Sequence, residues 1–239
     1  MSYTPVKRQD KLSNQVADQI QDLILSKTIK LGDRLPTERE LGEQFQVSRT
    51  VVREAIRILE ARGLLDSQTG SGTYARALRG EDVVNSIGMY LSSHDHTYTI
   101  ESIMEVRRVL EIQVVKLAAE RATQENINQL EEILEQMCIS SNDIDIYSQW
   151  DLKFHLTLAH ACNNELFKIL IEPLGEALFD VIWTASTTPG AIEDACRFHN
   201  EILNAIKNRD SAQAMELMKA HLDQAQRVAL EGQIHRNLK

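Results

Sequence analysis

Apolar residues along the first sixty or so positions recur at helical spacing in three short blocks. From Ser13 to about Lys27, Val16, Ile20, Leu23 and Ile24 share one face of an amphipathic helix, with Ser13 as the predicted N-cap. The segment IKLGDRLP is broken by Gly32 and Pro36, after which Thr37 and Glu40 make the capping-box pattern of a second helix reaching about Phe45. Gln46 and Val47 leave room only for a tight turn. Ser48 then caps a third helix to about Arg62, with Val51, Ala55, Ile56 and Leu59 on its buried side. Helices joined in this order form a helix-turn-helix. Beyond Gly63 the runs LLDSQ and TYA flank the turn TGSG, which predicts a β-hairpin appended as a wing.

From residue 99 to 235 the helical period continues, interrupted near Thr123, Asn142, Asn163 to Asn164, Pro189 to Gly190 and Arg209 to Asp210. This predicts six or seven antiparallel helices after residue 82, with Val106, Leu110, Val114, Leu117 and Ala118 as one core stripe. The expected fold is mainly α: a winged helix-turn-helix domain over residues 1–76, a linker over 77–84 rich in turn residues, and an all-α bundle over 85–239. With 43% hydrophobic residues the chain can bury a sizeable core, while 10 glycines, 4 prolines and 5% aromatic residues exclude collagen-like and low-complexity chains and disfavour a β-sandwich.

Charge sharpens this division. Residues 1–78 hold 12 basic and 10 acidic side chains, residues 79–239 hold 14 and 25, so the net charge of -9 sits in the second part. A basic local surface suffices to engage phosphates even in an acidic protein, so the two modules are expected to serve different partners. The polar start MSYTPVKRQDKLSNQ and the lack of a long apolar run predict a cytoplasmic protein without a membrane partner. Cys138, Cys162 and Cys196 are widely spaced with no CxxC, and read as thiols in helix cores rather than as a disulfide frame.

Two constellations bear chemistry. Ser48, Arg49, Thr50 and Arg53 fall in the first turn and a half of the third helix, where side chains of a recognition helix reach base edges and phosphates; Arg39 is a further backbone contact. Gly70 and Gly72 would let the wing approach a groove. The alternative is a solvated basic face. In the bundle, Asp151 and His155 are four apart in WDLKFHLTLAH and share one helix face, whereas His160 points elsewhere. His199 and His221 lie eleven residues on either side of a turn near residue 210, at one level of an antiparallel hairpin. Three imidazoles and a carboxylate suit zinc, nickel, manganese or iron; separately, each histidine could equally be a hydrogen-bonded core residue. His94 and His96 in LSSHDHTYT read as loop residues, and Trp150 and Trp183 as packing residues.

The block DRLPTERELGEQFQVSRTVVREAIRILEARGLLDSQTGSGTYA strongly resembles the winged helix-turn-helix of GntR family bacterial transcription regulators, over about residues 10–76. The resemblance implies operator contacts by Arg39, Ser48, Arg49, Thr50, Arg53 and the wing glycine Gly70. Val51 stands where some relatives have threonine. The blocks EVRRVLEIQVVKLAAERA, DLKFHLTLAHACNNELF and FHNEILNAIKNRDSAQAMELMKAHL look like the FCD ligand-sensing domain of the FadR-like subfamily, over about residues 100–225. In its metal-binding members the residues matching Asp151, His155, His199 and His221 hold the ion, and the residue matching Arg107 faces the ligand; a salt bridge to Glu111 is the alternative use of Arg107. The resemblance also implies a homodimer.

Together these readings predict a metal-dependent transcription regulator. It would bind a pseudo-palindromic operator in double-stranded DNA, controlled by a small carboxylate effector, a hydroxy acid or sugar acid, at a divalent metal, zinc foremost. A metal-dependent hydrolase fused to a DNA-binding module is the alternative, disfavoured because no general base or HExxH motif is present. A DNA-binding protein with a purely structural metal is a third.

Overall fold

The computed structural model describes residues 11–68, 70–93 and 98–237. His94 and His96, the side chain of His235 and Thr69 of the hairpin turn lie outside the described residues. The chain divides into two compact units, the first ending at Val83 and the second beginning at Val84.

In the first unit, α1 (Leu12–Leu25), α2 (Glu38–Phe45) and α3 (Arg49–Ala61) precede the antiparallel strands β1 (Leu65–Gln68) and β2 (Gly72–Ala75). Thr37 caps α2 through the capping box with Glu40, and the Ser48 hydroxyl accepts from the Val51 amide at the start of α3. Gln46, at the end of α2, is left-handed at φ 55, which closes the tight turn. Val16, Ile20 and Ile24 of α1 meet Val52, Ala55, Ile56 and Leu59 of α3, with Leu35, Leu41, Leu64 and Leu65 sealing the core.

Three details depart from the pattern-based reading. Ser13 is not a cap, because α1 already starts from the Lys11 carbonyl; its side chain is buried inside the first turn. Leu23 is 38% exposed and Val51 only half-buried, so the apolar stripes are rotated slightly from the expected faces. The segment read as a plain connection joins the wing: Leu35 N–H donates to Thr73 O at 2.8 Å, Ala75 N–H to Asp33 O at 2.9 Å, and Arg34 bridges Tyr74.

Helix α4 (Gly80–Ser93) begins within the segment read as a linker. At its start the Asp82 carboxylate accepts two hydrogen bonds from Arg76, at 2.7 and 2.9 Å, and one from the Arg79 amide at 2.8 Å. These contacts hold the Asp82 carboxyl well below its usual pKa of 3.8, at about 2. Gly63, at φ +77 after α3, packs against this pair, and a Cβ there would lie 3.0 Å from the Asp82 carboxyl carbon.

The second unit contains α5 (Ile100–Arg121), α6 (Gln124–Ile139), α7 (Ile144–Ala161), α8 (Glu165–Ile171), a short 3-10 turn, α9 (Gly175–Ser186), α10 (Ala191–Lys207) and α11 (Ser211–Asn237). Thr123, Asp143 and Asn164 cap α6, α7 and α8 with their side chains, and the left-handed Asn163, Gly190 and Arg209 mark turns at the expected breaks. Helix α11 packs on α5, α9 and α10, and α7 packs on α5, α6 and α9. On α5 the buried face holds Met104, Arg107, Glu111, Val114, Val115 and Ala118, whereas Val106 is 43% exposed; the true stripe includes an ion pair that an apolar count passes over. No helix among the described residues is long and apolar enough to cross a membrane.

Candidate metal centre and nucleic-acid interface

Asp151 and His155 of α7, His199 of α10 and His221 of α11 converge in the interior of the second unit, all at most 4% exposed. One nitrogen from each of the three imidazoles lies within 4.8 Å of the others. His155 Nε2 is 3.3 Å from His199 Nε2 and 3.4 Å from Asp151 Oδ1, and the His199 and His221 rings are 4.5 Å apart at their centroids. The i,i+4 spacing on α7 and the tight turn between α10 and α11 are what bring these four together. His160, five residues past His155, instead reaches Glu172 at 2.8 Å on an exposed face.

The surrounding groups prepare this cluster. The Tyr147 hydroxyl donates to Asp151 Oδ2 at 3.0 Å, and Glu111 Oε2 lies 2.6 Å from His155 Nδ1, a carboxylate placed behind the ring. Arg107 Nε donates to Glu111 at 2.6 Å, and its Nη2 is 3.2 Å from His155 Nε2. Arg107 and Glu111 are each 2% exposed, so their salt bridge is internal to the site and not a surface pair.

Electrostatics follow from this burial. Desolvation alone would raise the Glu111 and Asp151 carboxyls, but Arg107 and His155 reverse this for Glu111, and His199 and His155 for Asp151, so both are held well below the usual carboxylate range. Burial pushes His199 down to about 4 and His221 well below its ordinary value, which keeps both imidazoles neutral. At His155 burial is outweighed by Glu111, and the pKa is raised.

Does this set fit a metal? Asp151 Oδ1, His199 Nδ1 and His221 Nδ1 are buried and have no hydrogen-bond partner, an arrangement that is costly in a packed interior. The neutral imidazoles of His199 and His221 and the ionised carboxylate of Asp151 are in the protonation states that a cation needs. The residues fit a divalent ion.

The cluster borders a small, partly open pocket. Its polar lining is Arg107, Tyr147, Asp151, Ser186, His221 and Gln224; the remainder is valine, isoleucine and alanine from α9, α10 and α11. Trp150 and Trp183 do not line it: Lys153 lies over the Trp150 ring, and Trp183 donates to Asp145.

On the first unit, Arg49, Thr50 and Arg53 are exposed along the start of α3 and Arg39 on α2. Arg53 is not free: it donates to both oxygens of Glu38 at 2.9 and 2.7 Å, which lowers the Glu38 pKa and aims the guanidinium along α2. Arg39 pairs with Glu43 at 3.2 Å. Gly70, at φ +78, has open space where a Cβ would project. Gly72, at φ +128, holds a backbone conformation that side-chain-bearing residues rarely adopt, beside the Arg34 guanidinium.

Sequence patterns passed over Glu38, Tyr147 and Gln224, and took Glu111 only as a salt-bridge partner. Tyr147 precedes Asp151 by one helical turn and Gln224 follows His221 by three residues, so a search one turn from each ligand would have found both. Glu38 and Arg53 are fifteen residues apart on different helices, and nothing local links them.

Residues 12–75 match the family described as bacterial regulatory proteins, gntR family, and residues 102–224 match the FCD domain. The chain is 32% identical over 224 residues to the HTH-type transcriptional regulator LutR of Bacillus subtilis, covering 90% of this chain and all of that protein. It is 31% identical over 227 residues to the putative L-lactate dehydrogenase operon regulatory protein of Escherichia coli, covering 89% of this chain and 84% of that protein. The solved Streptococcus agalactiae GntR structure superposes with a TM-score of 0.62 at 26% identity, covering 90% of this chain and 99% of that one. A winged helix-turn-helix followed by an FCD bundle, matched end to end by named regulators, sets the hydrolase alternative aside: the chain belongs to the gntR family of bacterial regulatory proteins and is a DNA-binding transcription regulator.

Proposed function

We propose that this regulator binds a pseudo-palindromic operator as a homodimer, and that a small carboxylate, a hydroxy acid or sugar acid, sets its operator affinity from within the second unit. The reading rests on one observation above others: three buried histidines gather beside Asp151, and of this group His221 and Asp151 line a pocket together with Arg107. Asp151, His155, His199 and His221 would hold a divalent metal, zinc foremost, with nickel, manganese or iron as alternatives. A bound cation supplies open coordination positions for a carboxylate. Arg107 adds a buried positive charge on the same side, and Glu111 keeps that guanidinium from standing unpaired while the pocket is empty of anions.

At the DNA, the start of α3 presents Ser48, Arg49, Thr50 and Arg53 to bases and phosphates, Arg39 adds a contact from α2, and the wing turn at Gly70 approaches the backbone. Glu38 holds Arg53 in one orientation before binding. The chain's similarity to a protein named as a putative L-lactate dehydrogenase operon regulatory protein supports an effector of the hydroxy-acid class.

The test begins with genomic fragments retained by the zinc-loaded full chain at physiological salt. Affinity for a retained fragment is then titrated with 2-hydroxybutanoate and with gluconate, before and after chelation, at fixed ionic strength. The expected result is a change of about 5- to 150-fold with one acid, lost on chelation. Affinity indifferent to both acids with metal in place would leave the metal a purely structural role and overturn the proposal.

A further inference from the structure

We propose that Gln224 selects the effector, donating a hydrogen bond to a single hydroxyl oxygen on a short-chain monocarboxylate. The inference deepens the reading of the pocket as a carboxylate site and depends on it. Gln224 sits one turn beyond His221 on α11, is 9% exposed, and lines the same pocket as Arg107 and His221. Its amide Nε2 is buried and has no hydrogen-bond partner. Buried amide donors in folded interiors are nearly always paired, so an unpaired one facing a pocket is poised for an acceptor that arrives with a ligand.

Of the other polar groups of the wall, Asp151 and His221 belong to the metal set, and Tyr147, Ser186 and Arg107 are already engaged as donors. The Tyr147 proton goes to Asp151, the Ser186 hydroxyl donates to Ile182 O at 2.8 Å, and Arg107 is engaged with Glu111, His155 and the Met104 sulfur. Tyr147 and Ser186 therefore present lone pairs, whereas Gln224 presents N–H. A ligand hydroxyl matches both kinds of group at once: its oxygen accepts from Gln224 and its own proton goes to Tyr147 or Ser186. The rest of the wall is valine, isoleucine and alanine. A chain with many hydroxyls would leave most of them unpaired against it, so the geometry points to one hydroxyl on an otherwise aliphatic acid.

The probes are 2-hydroxybutanoate, 3-hydroxybutanoate and butanoate, equal in carbon count, titrated calorimetrically into the zinc-loaded full chain. Wild type is expected to bind one hydroxy acid about tenfold more tightly than butanoate. In Gln224→Met that preference falls to within about twofold while butanoate affinity is kept, a pattern that loss of packing alone does not produce. Gln224→Ala gives the same readout if methionine overfills the wall. A preference retained in the variants, or equal binding of all three acids by wild type, overturns the role of Gln224 and leaves the carboxylate site standing. Binding of none of the three by wild type overturns both.

Discussion

Arg107 is where stability and function pull on one side chain. Removing it in Arg107→Ala strands the Glu111 carboxylate in the interior, and the expected cost is about 3–5 kcal/mol in chemical denaturation. Replacing both partners, as Arg107→Met with Glu111→Leu, recovers most of that stability because no unpaired charge remains, yet the effector response stays lost. If Arg107→Ala keeps full carboxylate affinity, its assignment to the effector is wrong. What sequence shows of such a site depends on spacing. Asp151 with His155 and His199 with His221 are legible because a helix turn and a hairpin turn convert number differences directly into proximity. Glu111 beside His155 joins α5 to α7, and no spacing rule spans that gap.

Among the elements, α11 is the most tightly seated. Gly232 lies so close to the end of α9 that a Cβ there would collide with the Thr184 carbonyl oxygen and crowd the Thr187 hydroxyl, while Thr188 donates to Val228 O at 2.9 Å. Gly232→Ala gains helix propensity but forces the two helices apart, and a net loss of about 1–3 kcal/mol is expected in the unfolding of the second unit. Gly88 in α4, where a Cβ would meet no atom within 4 Å, is the control: its alanine substitution is expected to be neutral or stabilising. Helix starts were readable where a cap is a local event, as at Thr37, Ser48 and Thr123. Ser13 misleads because a serine inside the first turn carries the same letter as a serine before it. Burial of Arg107 in place of Val106 was equally hidden, since only the packed helices decide which stripe faces inward.

At the scale of the whole chain, the Arg76–Asp82 pair stands just ahead of the boundary between the two units, and it is acid-sensitive. Because the folded Asp82 pKa of about 2 lies below its ordinary 3.8, the carboxylate stabilises the joint fully above about pH 4 and loses that effect as pH falls through about 2. The Arg76 amide, which donates to Leu64 O at 2.9 Å, reports on it by hydrogen exchange. In Asp82→Asn this amide is expected to exchange faster than in wild type at pH 6, with the difference shrinking steadily below pH 4. A difference that is constant across that range would mean that the charge on Asp82 is irrelevant to the joint. The opposing charge of the two parts of the chain was plain from composition, but this bolt between wing and helix was not, because glycine, serine and arginine spell a loose loop until Asp82 is seen to gather them.

The Arg76–Asp82 pair also fixes how motion can pass along the chain. Only Arg76, Ala77, Leu78 and Arg79 stand between the wing and α4, a span of about 14 Å even when drawn straight. A slack tether of that kind would relay nothing but proximity, whereas a bolted one acts as a crank within the first unit: the first turn of α4 cannot swing without carrying Arg76 of the wing and pressing on Gly63 at the end of α3. Leverage of this sort ties the orientation of the first turn of α4 to the wing through one ion pair.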